Sequence, residues 1–289
     1  MSGAGELRRE LSIRGQRIAE QHQSVYELTE GSVPSVLFGR DGVQRHDNFH
    51  PSSFRNICSN ADWARRLTKD HTASRRAGTR AAWRWKELDC ANSSDALLMN
   101  VFCYRRAVAN PSLCAMLGVA PSVVPTFGFK PKVPLRNGKT DRTEVDMKLG
   151  DVMVEAKLTE SDFQAAEARK VERYRDFKEV FDPAELPRHG EIYDSYQLIR
   201  GALAAYVTGG SFCVICDSRR PDLSEKWYRV LRAVRNCELR CRLQLLTWQE
   251  LSITLPRPLQ RFLAWKYGIH VGLQSFADCG IARLAAWRR

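Results

Sequence analysis

Hydrophobic and polar residues alternate with period 2 along residues 144–149 and again along 152–158. Two strands that each bury one face read this way. Gly150 and Asp151 lie between them, and Gly at the first position suits a two-residue type II′ hairpin turn. That turn sets Asp146 opposite Glu155 and Glu144 opposite Lys157. Val145, Met147, Val154 and Ala156 take the other face, so Asp146, Glu155 and Lys157 share one side.

The flanking chain predicts further elements. Residues 93–102 form a helix that Ser93 or Ser94 caps, with Asp95 in the first turn where the dipole favours an acid. Residues 124–133 are a strand leading into the hairpin. Residues 160–181 read as one charged amphipathic helix and 193–208 as a more buried helix ending at Gly209-Gly210. A continuous apolar strand is expected at 211–217, a helix at 225–235, a strand at 242–248 and a last helix at 258–267, closed by Gly268. This order predicts an α/β fold, a mixed central sheet flanked by helices.

Two carboxylates directly opposed on a hairpin repel, by roughly 4 kcal/mol at about 4 Å and an effective dielectric near 20. A cation resolves that conflict. Oxygen donors suit Mg²⁺, which binds through one or two carboxylates with phosphates and waters filling the rest. The bland alternative is a solvated face on which Lys157 pairs with Glu144 while Asp146 meets water.

At these residues the chain resembles the PD-(D/E)xK, restriction-endonuclease-like nucleases: Asp146 on one strand, Glu155-Ala156-Lys157 on the next, and helix, three strands, helix, strand around them. Within that superfamily it is similar to the bacterial PGN_0703-like restriction endonucleases. The segments that carry this likeness are residues 85–88 running into 93–102, then 154–163, 196–200 and 262–268. The family's proline before the first aspartate is absent, since Val145 precedes Asp146. The resemblance implies a restriction-endonuclease-like sheet and Mg²⁺- or Mn²⁺-dependent hydrolysis of DNA, with RNA left open, and it leaves room for a homodimer. It implies Asp146 and Glu155 as metal carboxylates, the Ala156 carbonyl as a further donor, and Lys157 as the group that serves the attacking water and the developing charge. Beside two acids, Lys157 is expected to stay protonated. Asp95, Gln197 and Arg200 are candidate accessory residues. Against that stand a first-turn charge for Asp95 and plain helix surface for Gln197 and Arg200. Glu144 reads as a salt-bridge partner.

Charge points to a polyanion. The 289 residues carry 45 Lys and Arg against 33 Asp and Glu, a formal net charge of +12. Such a field speeds encounter with nucleic acid. Residues 63–86 concentrate it: Arg65, Arg66, Lys69, Arg75, Arg76, Arg80, Arg84 and Lys86 against Asp70 alone, interleaved with Trp63, His71, Trp83 and Trp85. The arginines suit phosphates; the tryptophans suit docking on the core. Residues 1–84 therefore read as a basic, partly helical N-terminal region, 85–270 as the catalytic domain, and 271–289, with Arg283, Arg288 and Arg289, as a basic tail. No apolar run approaches a membrane span, and the first residues lack a signal-peptide pattern, so a cytoplasmic protein is expected. Cys213, Cys216, Cys237 and Cys241 have zinc-like spacing. Strand alternation puts Cys213 and Cys216 on opposite faces, so buried thiols are the better account. A non-catalytic nucleic-acid-binding protein that keeps the nuclease fold is the alternative. It gives no reason for opposed carboxylates.

Overall fold

The structure is a computed structural model that describes residues 3–29, 34–39, 45–70 and 86–271. Its centre is a mixed sheet of five strands: β1 (Thr126–Phe129), β2 (Val145–Leu149), β3 (Val152–Ala156), β4 (Ser211–Cys216) and β5 (Leu243–Thr247). They lie in the order β5-β4-β3-β2-β1. The β1–β2 and β2–β3 pairs are antiparallel; β3–β4 and β4–β5 are parallel. Met147 pairs with Val154, Lys148 with Met153 and Leu149 with Val152. This is the register that the Gly150-Asp151 turn demands, and Gly150 takes φ +56° as the first turn position requires.

Both faces of the sheet are covered, which is why β4 is apolar throughout. One face packs Met147, Val154, Ala156, Cys213 and Ile215 against α3 (Ser94–Phe102), α6 (Trp248–Ile253) and α7 (Arg257–Tyr267). Leu7 and Leu11 of α1 (Gly3–His22) enter the same cluster. The other face packs Met153, Phe212, Val214 and Cys216 against α4 (Tyr196–Thr208) and α5 (Pro221–Arg232). Cys213 and Cys216 thus point to opposite faces. A short helix, α2 (Pro51–Cys58), lies against α3 through Phe54 and Ile57. No helix among the described residues is long and apolar enough to cross a membrane.

The expected single helix over 160–181 does not form. The carbonyls of Glu160 and Ser161 are taken by Arg220, and the Leu158 and Gln164 N–H groups by the Glu160 and Asp162 side chains. These local bonds compete with helical ones, and Gln164 adopts φ +60°. Only the short pieces Ala168–Val171 and Phe177–Val180 are helical. Likewise 193–195 stay outside α4, because Tyr193 belongs to a small strand, Ile192–Tyr193, and Ser195 is left-handed. The expected strand over 124–133 ends at Phe129, and Val133–Pro134 pairs with Thr140–Asp141 instead.

Candidate active site

Asp146 is the point at which the regular ladder stops. The β2–β3 pairing ends at Met147, and the β1–β2 pairing connects Phe127 with Met147 and Phe129 with Val145, skipping the Gly128–Asp146 position. Freed from both ladders, the Asp146 carboxylate folds back and accepts the Ala156 N–H at Oδ2, 2.8 Å. The same break explains why Val145, expected beside Met147, is buried in the opposite cluster.

Glu155 and Lys157 alternate onto one side of β3 and are both buried. Lys157 Nζ donates to Glu155 Oε1 at 2.8 Å, and Gln197 Nε2 donates to the same oxygen at 2.5 Å. The solvated alternative, Lys157 paired with Glu144, is not what forms; Glu144 pairs with Arg66 and Lys130. The electrostatics tie the three residues into one cluster. Burial and then the charges of Glu155 and Asp95 push the Asp146 carboxyl well above the usual carboxylate range, against Lys157 and the Ala156 N–H. Burial acts against the Lys157 charge, but Glu155, Glu160 and Asp146 outweigh it and hold the ammonium protonated.

The backbone of Lys157 is pinned as firmly as its side chain. Its N–H donates to Ile215 O at 2.8 Å, and its carbonyl accepts from Trp248 Nε1 at 3.0 Å. Fully buried Arg220 then clamps the following loop through the carbonyls of Leu158, Glu160 and Ser161, with Asp222 holding the guanidinium. Glu160 itself caps the Leu158 N–H and accepts from Ser94 Oγ. None of Glu160, Arg220 and Trp248 stood out in the sequence: Arg220 and Trp248 act through backbone groups that carry no residue signature, and Glu160 reads locally as the start of a charged helix.

Other candidates divide. Asp95, in the first turn of α3 with Ser93 as N-cap, receives Arg66 Nη2 and Lys69 Nζ, each at 3.1 Å. Gln197 stands at Glu155. Arg200 is not helix surface: it is buried, donates to the Glu144 carbonyl at 2.9 Å and so holds the entry to β2. Arg65 is exposed and paired with Asp62. Arg75, Arg76, Arg80, Arg84, Trp83, Trp85 and the tail arginines lie outside the described residues.

For a metal the available donors are oxygens. The hydrogen bonds described above engage Asp146 Oδ2 and Glu155 Oε1, and the Gln197 Oε1 atom is buried without a partner. Among the described residues no three His, Cys, Asp or Glu side chains form a metal-holding group. Two carboxylates and an amide oxygen are hard donors of the kind Mg²⁺ takes, and do not match a zinc cage.

Comparison with known proteins supports the nuclease direction. Residues 20–268 match the family described as restriction endonuclease associating with ARP. The chain belongs to that family. The match covers the five-stranded sheet, the Asp146–Glu155–Lys157 cluster and the Arg66–Lys69 segment alike, and the mixed, helix-flanked sheet is consistent with a restriction-endonuclease-like fold. No curated protein and no solved structure matches the chain.

Proposed function

We propose that this member of the restriction-endonuclease family is a Mg²⁺- or Mn²⁺-dependent DNA endonuclease of the PD-(D/E)xK type, serving restriction or defence. One observation carries the reading: two carboxylates meet a protonated lysine where the hairpin ladder opens, and burial followed by the neighbouring acids raises the proton affinity of Asp146. A chain without catalytic use for this cluster would gain stability by losing it. Free thiols at all the described cysteines go with a cytoplasmic setting.

Asp146 and Glu155 would hold the metal, with the Ala156 carbonyl alongside, since it points to the same side of β3 as the N–H that Asp146 accepts. A divalent ion bound there polarises a phosphodiester and acidifies a water. The protein supplies the rest. Gln197 and Lys157 fix the rotamer of Glu155, and the Ala156 N–H fixes Asp146. The Lys157 ammonium offers positive charge where the phosphate becomes more negative in the transition state. Its pinned backbone means that no reorganisation is needed at that moment.

Asp146→Asn tests the metal half of this reading. Because the folded state holds the Asp146 proton more tightly than the unfolded chain does, stability from this group is complete at low pH and is lost as pH rises through its folded-state value. At neutral pH the variant should therefore melt no lower than wild type in chelator. Saturating Mg²⁺ or Mn²⁺, at about 100 times Kd, should raise wild-type stability by roughly 2.7 kcal/mol and Asp146→Asn far less. Equal stabilisation of both chains would place the ion elsewhere.

A further inference from the structure

Two of the basic residues expected to meet phosphates are already engaged within the chain. Arg66 and Lys69 both donate to Asp95 Oδ2, and Arg66 also reaches Glu144 Oε2 at 3.3 Å. Asp95 belongs to α3 and Glu144 precedes β2, so Arg66 ties its own segment both to α3 and to the entry of β2. The berth is built for it. Gly128 has φ +65°, and a Cβ there would run into Arg66 Nη1. Arg66, Lys69 and Glu144 line an open groove of about 460 Å³, together with Trp63, Arg65 and Phe127. A polyanionic strand lying in that groove meets both cations directly.

We propose that Arg66 and Lys69 are exchangeable counter-ions: they neutralise Asp95 and Glu144 in the free chain and transfer to phosphates when nucleic acid enters the groove, which leaves those acids to draw a divalent cation to Asp146 and Glu155. The exchange trades one oxyanion for another. A phosphate takes the guanidinium fork as well as a carboxylate does. Arg66 bridges Asp95 to Glu144, which stands two residues before Asp146, so uncovering the two acids deepens the negative field at the metal carboxylates. Metal and nucleic acid then favour each other's binding, and the coupling is reciprocal. This rests on the nuclease reading of Asp146 and Glu155, and the test separates the two.

Calorimetric titration of Mn²⁺ into the full-length chain, without nucleic acid, distinguishes the outcomes. The Arg66→Gln/Lys69→Gln variant should bind Mn²⁺ more tightly than wild type, by roughly 5- to 150-fold if the coupling is of ordinary size. Arg66→Lys, which keeps the charge, should stay within a few-fold of wild type. A duplex blocked against cleavage by phosphorothioate linkages should tighten Mn²⁺ binding to wild type and add less to the double variant. Equal Mn²⁺ affinity of wild type and double variant overturns the proposal. Should circular dichroism find the double variant unfolded, Lys69→Gln alone decides, since Lys69 has a 37% exposed side chain. It must show a smaller rise in the same direction, and no rise overturns the proposal. Absence of Mn²⁺ binding to every chain, with or without duplex, overturns the nuclease reading first and this proposal with it.

Discussion

Lys157→Ala is expected to lower the rate of DNA cleavage by about 10²–10³, the usual loss when one preorganised donor to transition-state charge is removed. DNA affinity should change little, because Lys157 is buried beneath Glu155 rather than placed along the groove. Loss in the rate with binding intact marks an interaction made mainly in the transition state. Lys157→Arg should recover only part of the rate. A planar fork cannot take the place of a compact ammonium between Glu155 and the Phe163 ring, 5.7 Å from Nζ. Removing the lysine also strips buried Glu155 of its charge partner, which costs stability. Rates are therefore compared below the melting temperature of both chains. Single-turnover cleavage at saturating protein measures the effect. Equal rates for wild type and Lys157→Ala would make the lysine structural.

Lys266→Met should stabilise the protein, and most strongly at or below neutral pH. Lys266 is buried in α7, its Nζ has no hydrogen-bond partner, and it lies over the rings of Phe38 and Tyr267 at 4.6 and 5.0 Å. Burial pulls its amine from 10.5 down to about 7, while Cys90 and Asp47 act weakly in the other direction. The unfolded chain thus binds the proton more tightly than the folded one. Below about pH 7 the folded state carries the full penalty; the penalty shrinks as pH rises towards 10.5 and is gone above it. A tenfold change in proton affinity is worth about 1.4 kcal/mol. Methionine, of similar length, should therefore add on the order of 4 kcal/mol near or below pH 7 and progressively less above about pH 8. Urea melts of both chains at about pH 6.5, below that window, and about pH 9.5, well inside it, would check this. A difference that does not narrow with pH would mean that packing, not the amine, sets the effect.

How much was legible in sequence depended on whether a feature lives in local periodicity or in contacts between distant segments. The hairpin register followed from Gly150 and from alternation, both local, so Met147–Val154 pairing was readable from the residues alone. The strands Ser211–Cys216 and Leu243–Thr247 and helix Arg257–Tyr267 were legible for the same reason. The false helix over 160–181 shows the limit. Its spacing was right, but Arg220, some 60 residues away, takes its first carbonyls. At the site, Gln197, an accessory candidate from the resemblance, stands second in α4 and donates to Glu155. The ion pairs that tie Arg66 and Lys69 to Asp95 were invisible, because charge counting cannot tell a solvated base from one already matched by an acid.

Supercoiled plasmid incubated with purified wild-type protein provides the most direct test of the nuclease assignment. In Mg²⁺ or Mn²⁺ the plasmid should convert to nicked and linear forms, with no conversion in excess chelator and none by Glu155→Gln in either metal. An intact plasmid with folded wild-type protein in both metals, or equal cleavage in chelator or by Glu155→Gln, would contradict that assignment.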